Sequence, residues 1–402
     1  MRILLHGDSP SVATGYGNIN RLLIKELIKI DKSLDFTVIG IADMGGWKDP
    51  NIYFYKIYPA IYNNYNDELG LTRLVSTLMG EDPEIHGKFD VLIYHNDMFH
   101  LDDITIDGKK VIDWIYEVGK NVKKKIIYTL VDTDQLKLEW GYVLAAFDYI
   151  VVPTKYSRNI ITKHFPDLKN RIHVVQYAID TELFYPQKKE RTDGFTIGYV
   201  GRNQWRKNIQ GVISAFDMFR HKHKTGYLYL HTKAEDKGQF GCNPLELLKD
   251  KGYYLTRDYY VPTNLNVNKG VKRETMNDIY NKFDVFLSAS VGEGYGMPYI
   301  EAMLAGVPVI APDNSTVPEL LGNGRGYIYK NKMEYSFGWI DYNRVKPMPD
   351  MEDALCYLEK VYDAKIGTRD GDDVQEMIYR ARSYALQFTP NKMAEEFYKV
   401  LV

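Results

Sequence analysis

Two glutamates, Glu293 and Glu301, frame a glycine-rich turn and could contact one ligand. The surrounding stretch, 288–310, reads SASVGEGYGMPYIEAMLAGVPVI. It predicts a strand end, a turn, a helix between Pro298 and Gly306 and a second strand, because proline favours the first helical turn and glycine the position after the last. In such a βαβ unit the amides of the turn face the end of the sheet. A carboxylate there would repel phosphate but accepts hydrogen bonds from hydroxyl groups, so the acids predict a sugar or ribose ligand.

Two cations, Arg202 and Lys207, follow another predicted strand in the same half of the chain. They belong to GRNQWRKN (201–208), which separates an apolar run from a predicted helix. The positive end of a helix and two cationic side chains favour the same anion, so this arrangement predicts a diphosphate site. The alternative is a pair of solvated surface charges, and the two acids at another strand end of the same predicted sheet weaken it.

The composition is that of a globular protein with two domains. The 402 residues exceed one ordinary core, and 45% of them are hydrophobic while 26% are charged. The formal charge of −2 argues against nucleic-acid binding through bulk charge. Cys242 and Cys356 lack the spacing of metal ligands or of a disulfide framework, the N-terminus reads as a first strand, and no apolar stretch is long enough to span a membrane. We therefore expect a cytoplasmic protein.

Strand and helix patterns alternate along the chain and predict an α/β protein with two Rossmann-like domains. We expect an N-terminal domain over 1–178, a linker over 179–194 and a C-terminal domain over 195–385. A final helix within 386–402 is expected to cross back to the N-terminal domain. Each parallel sheet should be covered on both faces, and a cleft between the domains should hold the ligand.

Two local patterns in the second half give more specific predictions. The run YYLTRDYY (253–260) predicts a strand that continues to residue 262. Thr316, with Glu319 three positions later, forms a capping-box pattern that predicts the start of a helix over 316–322.

Together these features resemble the retaining glycosyltransferases of the GT-B fold, in particular glycosyltransferase family 4, also called glycosyl transferases group 1. The E-x7-E motif of that family is matched by EGYGMPYIE (293–301), and its GR…KN loop by GRNQWRKNIQGVISAF. The phrase AIDTELFYP (178–186) is similar to the passage between the two domains. The resemblance covers nearly the whole chain and is strongest over 195–325.

The resemblance implies a hexose-type transfer from a UDP- or GDP-sugar to a hydroxyl acceptor, with retention of configuration and without a metal or another cofactor. It implies that Arg202 and Lys207 hold the diphosphate, Glu293 contacts the transferred sugar and Glu301 accepts the ribose hydroxyls. The remaining implied donor contacts are the turn residues Gly294, Tyr295, Gly296 and Met297, the base-flanking residues Tyr260 and Val261, and the first-domain glycines Gly15 and Gly17.

The first domain departs from the family pattern at one strand end. Val131 stands where many members have a sugar-contacting histidine, and Asp132 or Asp134 is the candidate replacement. Asp132-Thr-Asp134 also spells D-x-D, a metal signature of a different glycosyltransferase fold, so we expect no metal there. His95 is predicted either to line the acceptor cleft or to be a structural histidine.

Partners and alternative functions stay open from the sequence. The acceptor could be a saccharide, a lipid, a protein or a modified nucleobase, and the oligomeric state is unknown. The basic run Lys123–Lys125 could touch an anionic membrane, with a solvated helix end as the alternative. The functional alternatives are a GT-B sugar-nucleotide epimerase, a phosphorylase-like enzyme and a non-catalytic module that binds sugar or nucleotide.

Overall fold

The computed structural model describes residues 1–43, 55–61, 67–188, 194–236, 240–266, 268–368 and 371–402. These residues divide into two compact units. The first comprises residues 1–178, 268–270 and 389–402, and the second comprises residues 179–267 and 271–388, with the same gaps. Residues 189–193 of the predicted linker lie outside the described residues.

The first unit is built on a parallel sheet. Its strands in chain order are β1 (Arg2–Asp8), β2 (Asp35–Ile41), β3 (Lys56–Pro59), β4 (Val91–His95), β5 (Thr105–Ile106), β6 (Lys109–Lys110), β7 (Lys124–Tyr128), β8 (Tyr149–Val152) and β9 (Ile172–Val174). Its helices before residue 178 are α1 (Gly15–Ile30), α2 (Leu71–Met79), α3 (His100–Asp103), α4 (Val111–Val118), α5 (Leu138–Ala145) and α6 (Lys155–His164). Over the described ranges the sheet has the order β3-β2-β1-β4-β7-β8-β9, and β5 and β6 form a separate antiparallel ribbon.

The central strand β1 has the sequence pattern that is typical of a buried parallel strand. Its inner residues are buried without interruption, and Leu5 lies between Val38 of β2 and Ile93 of β4 in parallel register. A parallel sheet covered on both faces needs such continuous apolar runs rather than alternating ones.

The second unit repeats this plan. Its strands are β10 (Thr196–Val200), β11 (Tyr227–His231), β12 (Tyr259–Tyr260), β13 (Val285–Leu287), β14 (Val309–Pro312), β15 (Tyr327–Tyr329), β16 (Asn331–Ser336) and β17 (Val345–Pro349). Its helices are α7 (Ile209–His223), α8 (Pro244–Asp250), α9 (Arg273–Tyr280), α10 (Met297–Leu304), α11 (Val317–Leu321), α12 (Met351–Ile366) and α13 (Gly371–Ala385). As far as the structure describes the chain, the parallel sheet has the order β12-β11-β10-β13-β14-β15, while β16 and β17 pair as an antiparallel hairpin.

Apolar side chains of α7, α8 and α12 cover one face of this second sheet. Ile197 and Tyr199 of β10 point into that core, together with Leu228 and Leu230 of β11. Because successive strand residues face opposite sides, Gly198 lies on the other face, where a Cβ atom would come within 2.1 Å of the Phe283 ring. The glycine therefore lets an aromatic side chain lie flat against β10.

The predicted strand over 253–262 is much shorter than expected. Only Tyr259 and Tyr260 form β12, because the residues before them make a tight charged turn. The carboxylate of Asp258 accepts hydrogen bonds from the Tyr254 amide at 2.8 Å and from Arg257 at 2.7 Å. Thr256 adopts a left-handed φ of 68°. Side-chain bonds to the backbone thus override the β propensity of the tyrosines.

The chain ends in α14 (Pro390–Leu401), which belongs to the first unit. Phe397 packs against Tyr128 with ring centroids 5.6 Å apart, and the Tyr398 hydroxyl lies 3.2 Å from an Asp31 carboxylate oxygen. Lys124 donates to the carbonyl oxygens of the last turn of α14, at 2.8 Å for Leu401. A cation at the carboxyl end of a helix is electrostatically favourable, so this lysine has a structural partner.

Candidate functional site

The order of the second sheet identifies where a ligand site should form. The chain runs outward from β10 to β11 and β12, and then returns to place β13 on the other side of β10. The loops that follow β10 and β13 therefore diverge from neighbouring strand ends. Open α/β sheets bind ligands in the crevice outside such a switch point. Here the loop after β10 carries the predicted cations, and the loop after β13 carries Glu293 and leads into α10, which carries Glu301.

The turn after β13 requires glycine at Gly296. This residue has φ of 90° and precedes α10 as its N-cap, and Pro298 lies in the first helical turn. A Cβ atom at position 296 would also meet the Tyr299 ring at 2.6 Å. Both the left-handed backbone and the close approach exclude larger residues. The turn is thus shaped so that the amino end of α10 directly follows the loop that contains Glu293.

Hydroxyl groups hold this turn in place. Thr316 donates to the carbonyl oxygens of Glu293 and Tyr295, each at 3.2 Å, and the Ser315 hydroxyl accepts the amide hydrogen of Glu293 at 2.9 Å. The predicted capping box is therefore wrong, because Thr316 makes no cap bond to α11. Its hydroxyl serves the neighbouring loop instead.

The carboxylate of Glu293 forms an ion cluster with two cations. Lys207 Nζ lies 2.5 Å from Oε1 and 2.7 Å from Oε2. Arg206 Nη1 lies 3.5 Å from Oε2 and donates to the Gly292 carbonyl at 2.9 Å. The side chains of Lys207 and Glu293 are only 13% and 9% exposed. The two loops at the switch point are therefore joined through a nearly buried ion pair.

The surroundings of Glu293 determine its charge. Burial by itself would raise the pKa of this carboxyl, but Lys207 and Arg206 outweigh burial and hold the pKa below its ordinary value. Glu293 is consequently ionised at neutral pH. An anionic ligand would compete with this carboxylate for the same two cations.

Backbone contacts also tie the two loops together. A short 3-10 helix, Trp205–Lys207, precedes α7, and the Arg206 carbonyl accepts the amide hydrogen of Val291 at 2.8 Å. Asn208 then caps α7 from a left-handed conformation, with its side chain accepting from the Gly211 amide. The cap explains why the cations lie at the amino end of α7, where the helix dipole favours anions.

Arg206 was not among the predicted site residues, and Arg202 occupies a different place from the one expected. The Arg202 side chain is 41% exposed and bonds the Asp236 carboxylate at 2.7 Å, on the loop after β11. The structure thus brings Arg206 and Lys207 to Glu293, and the predicted diphosphate contact of Arg202 stays a prediction. Arg202 and Arg206 lie four positions apart in the same loop and pair with different acids, and the sequence contains no signal that distinguishes them.

Glu301 lies on α10 and is held by a buried tyrosine. The Tyr280 hydroxyl, at the end of α9, donates to Glu301 Oε2 at 2.6 Å. Burial raises the pKa of Glu301, and the Tyr280 hydrogen bond and the charge of Arg273 oppose that rise. Burial and the adjacent carboxylate raise the pKa of Tyr280 well above its ordinary value. The tyrosine therefore remains a hydrogen-bond donor at all accessible pH values.

Tyr260 and Val261 lie on opposite faces at the end of β12. Val261 is 1% exposed and belongs to the core, so its side chain is not available to a ligand. Tyr260 packs against Tyr229 with ring centroids 4.8 Å apart, in a groove of about 400 Å³ that is also lined by Thr196, Tyr227 and Lys282. Thr196 and Tyr227 begin their strands, so this groove extends toward the amino ends of β10 and β11.

The two predicted first-unit glycines lie in the first turn of α1. Gly15 is its first residue and is exposed, whereas Gly17 is buried and donates its amide hydrogen to the Thr14 cap at 3.1 Å. A Cβ atom on Gly17 would lie 2.7 Å from the carbonyl oxygens of Ser9 and Val12. Gly17 thus permits close packing of the preceding loop, and the amino end of α1 faces the carboxyl end of β1.

His95 is fully buried inside the first unit. Its Nδ1 lies 2.5 Å from the Asn20 side-chain oxygen and its Nε2 lies 2.7 Å from the Tyr177 hydroxyl. Burial lowers its pKa to about 3, so the ring is neutral and donates to Asn20 while it accepts from Tyr177. Both ring nitrogens are occupied. The structural alternative therefore fits His95 better than a ligand contact.

The other predicted first-unit residues differ in exposure. Asp132 is half-buried and Asp134 is exposed, and the Asp134 carbonyl accepts a hydrogen bond from His164 at 2.8 Å. In the run Lys123–Lys125, the outer lysines pair with acidic side chains, at 2.8 Å for Lys123 and Asp90. With Lys124 bound to α14, the run has partners within its own unit.

The described residues contain neither a cluster of metal ligands nor a membrane-spanning helix. No three His, Cys, Asp or Glu side chains within those ranges come close enough together to hold a metal ion. No helix in the same ranges combines the length and the apolar character needed to cross a bilayer.

Comparison with known proteins supports a relationship over the second unit. The model of the family described as "Glycosyl transferases group 1" matches residues 180–337. A probable sucrose-phosphate synthase from Thermosipho melanesiensis is 26% identical over 188 residues, which are 45% of this chain and 42% of that protein. The chain therefore spans less than half the length of that curated relative.

Solved structures extend the likeness to the whole chain. Sucrose-phosphate synthase from Thermosynechococcus elongatus has a TM-score of 0.70 at 14% identity, and the match covers 100% of this chain and 98% of that one. Anabaena HepE in complex with UDP-glucose has a TM-score of 0.69 at 12% identity, and the match covers 100% and 99%. At such identities the likeness shows the fold alone. The predicted fold class is confirmed: this is an α/β protein of the GT-B type, in which each unit is built on a parallel sheet.

Proposed function

We propose that the protein is a retaining glycosyltransferase that moves a hexose-type sugar from a UDP- or GDP-sugar to a hydroxyl acceptor. One observation carries this proposal. At the switch point of the second sheet, Lys207 and Arg206 at the amino end of α7 face Glu293, which lies in the loop before α10. Two cations and two helix amino ends favour a diphosphate, while Glu293 beside the cations and Glu301 on α10 favour the hydroxyl groups of a sugar and a ribose.

The ion cluster supports a simple account of donor binding. Without a ligand, Lys207 is neutralised by Glu293. A bound diphosphate brings negative charge to Lys207 and Arg206 and replaces Glu293 as their partner. The Glu293 carboxylate then becomes available for the sugar hydroxyls. Arg202, which is 41% exposed, can supply a further cation if it leaves Asp236.

The reaction follows from the same charges. The bond between the anomeric carbon and the diphosphate breaks, negative charge grows on the leaving phosphate, and positive charge grows on the sugar. Lys207, Arg206 and the helix dipoles stabilise the phosphate, while ionised Glu293 is placed to stabilise the sugar. The acceptor oxygen bonds the anomeric carbon on the face that the phosphate leaves, and the acceptor proton passes to the leaving phosphate oxygen. Configuration is thereby retained, and the protein cations take the place of a metal.

Known proteins support the substrate class in general terms. The curated relative and the first structural neighbour are named as sucrose-phosphate synthases, and a second neighbour was solved with UDP-glucose. We propose a nucleotide-sugar donor on this basis together with the charges. Glu301 is assigned to the ribose, and the amides of residues 294–297 are assigned to sugar and phosphate. Gly15 and Gly17, at the amino end of α1, are proposed as further donor contacts.

Two other functions remain candidates at the same site. A GT-B epimerase or a phosphorylase-like enzyme would turn over with the donor and water or phosphate alone, whereas a transferase needs an acceptor hydroxyl for full activity. A non-catalytic module would bind the donor without releasing nucleoside diphosphate. Assays with and without candidate acceptors separate the three.

The test is a panel of UDP- and GDP-hexoses in which release of nucleoside diphosphate is measured, first with water and then with mixed saccharide, lipid and peptide acceptors. We expect one donor to be turned over, and we expect Lys207→Ala to lose more than 90% of that activity while remaining folded. Lys222→Ala is the matched control, because Lys222 ends the same helix α7 and pairs with Glu359 away from the site. Equal activity of Lys207→Ala and Lys222→Ala would contradict the site assignment.

A further inference from the structure

Tyr280 is a buried residue whose side-chain hydroxyl donates a hydrogen bond to Glu301, the proposed ribose-binding acid. It ends α9, twenty-one residues before Glu301, and its hydroxyl lies 2.6 Å from Glu301 Oε2. Its ring is enclosed by aromatic neighbours: Phe184 and Phe283 lie 5.8 Å away and Phe286 lies 6.2 Å away, centroid to centroid. These contacts fix the ring, so the hydroxyl is presented from a rigid base.

The hydrogen bond from Tyr280 makes the two oxygens of the Glu301 carboxylate inequivalent. Oε2 is held by Tyr280, whereas no described residue donates a hydrogen bond to Oε1. A free glutamate rotates broadly about its terminal torsion and loses that freedom on binding a ligand. Because Tyr280 holds Oε2, the Glu301 carboxylate has already lost this rotational freedom, and Oε1 points in a fixed direction before any ligand binds.

The ionisation states of Glu301 and Tyr280 reinforce the difference between the two carboxylate oxygens. Arg273, on the same helix as Tyr280, opposes the effect of burial on Glu301 and itself lies 3.3 Å from Asp180. Tyr280 also opposes that effect, because its hydrogen bond stabilises the carboxylate. Since Tyr280 does not ionise, it always donates and never competes with a ligand hydroxyl as an acceptor at Glu301.

We propose that Tyr280 is a positioning residue that fixes Glu301 so that its open oxygen accepts a ribose hydroxyl, which makes the site selective for ribonucleotides over deoxyribonucleotides. This inference rests on the proposed function, because it needs a nucleoside diphosphate in the site. It goes further by assigning the selectivity to a residue that does not touch the ligand. Tyr280 is not part of the E-x7-E motif, and only the α9–α10 contact reveals it.

The test compares Tyr280→Phe with the parent protein in calorimetric binding of UDP and GDP and of their 2′,3′-dideoxy counterparts. The substitution keeps the ring and removes only the hydroxyl. We expect affinity for the preferred ribonucleotide to fall about tenfold, the size of one hydrogen bond to a charged group, while affinity for its dideoxy counterpart stays the same. Glu301→Gln should likewise remove the preference for the ribonucleotide.

Tyr329→Phe is the matched control. Tyr329 is also fully buried, and its hydroxyl donates to the Ser288 carbonyl at 2.7 Å without contacting Glu301. Its loss should leave the ratio between ribonucleotide and dideoxynucleotide affinity at the parental value. Thermal unfolding of each variant verifies that it is folded.

The outcomes separate the inference from the proposed function. If the parent binds neither UDP nor GDP, the proposed function fails. If the parent and Tyr280→Phe discriminate equally while Glu301→Gln does not, the donor site stands and the role of Tyr280 is refuted. A Tyr280→Phe variant that loses affinity for both nucleotides by the same factor also refutes it, because that pattern indicates general damage to the site.

Discussion

Replacing Lys207 with methionine should destabilise the second unit, because it leaves the Glu293 carboxylate nearly buried without its closest partner. The substitution keeps the length of the side chain and removes its charge. Glu293 is 7% exposed, and Arg206 at 3.5 Å would be its remaining cation. Breaking a buried ion pair on one side costs about 3–5 kcal/mol. Because Arg206 compensates in part, we expect a loss of about 3 kcal/mol, at the lower end of that range.

A double-mutant cycle isolates this energy. Glu293→Gln on the Lys207→Met background removes the unpaired charge, so the double variant should recover most of the loss, with a coupling energy of at least about 2 kcal/mol. Thermal and denaturant unfolding of the four proteins measures it. For a unit of this size, the single Lys207→Met change should lower Tm by roughly 6–12 °C.

The stability deficit of Lys207→Met should depend on pH. The pKa of Glu293 lies below its ordinary value of 4.5, so its ion pair stabilises the folded protein above that pH and the stabilisation is lost as pH falls through the lowered pKa. The deficit of Lys207→Met should therefore be largest near neutral pH and shrink in acid. A Lys207→Met protein as stable as the parent at pH 7, or a coupling energy near zero, would refute the account of the ion cluster.

Three further predictions concern neighbouring residues of the second unit. Glu301→Gln should raise Tm, because burial raises the pKa of Glu301 and the folded protein must carry a disfavoured charge above that pKa. The gain in Tm should grow as pH rises above 4.5, and Tm measured at pH 5 and at pH 8 tests this. Gly296→Ala should cost about 2–3 kcal/mol of unfolding free energy, from its φ of 90° and its contact with Tyr299, whereas Gly367→Ala, with φ of 77° and no atom within 4 Å, should cost about 1 kcal/mol. Thr316→Val should cost about 1–2 kcal/mol by removing the hydroxyl that donates to two loop carbonyls, and it should also weaken nucleotide binding. Equal affinity of parent and variant in calorimetry would show that the loop keeps its shape without this hydroxyl.

The sheets could be predicted because parallel strands have a strong sequence signal. The apolar runs of β1 and β13 are buried on both faces, and the turn before α10 is marked by Gly296 and Pro298. Such patterns reflect local constraints that act wherever the segment lies in the fold. These patterns are sufficient to predict the fold class and the glycine turn between the two acids.

The details of the site depend on contacts between distant segments, which local patterns do not encode. The capping pattern at Thr316 was overridden by loop carbonyls more than twenty residues away. Arg206 rather than Arg202 reaches Glu293, because Arg206 lies in the 3-10 helix Trp205–Lys207, whereas Arg202 precedes that helix and pairs with Asp236. Tyr280 could be found only once α9 and α10 were seen to be neighbours.

The proposed donor site is tested by calorimetric titration of the parent protein and Lys207→Met with UDP- and GDP-hexoses, followed by measurement of nucleoside diphosphate release. We expect at least one donor to bind the parent protein and to be turned over, and we expect Lys207→Met to lose both binding and release while Lys222→Ala keeps them. If no UDP- or GDP-sugar binds the parent protein, or if Lys207→Met binds the donor as the parent does, the proposed donor site is wrong.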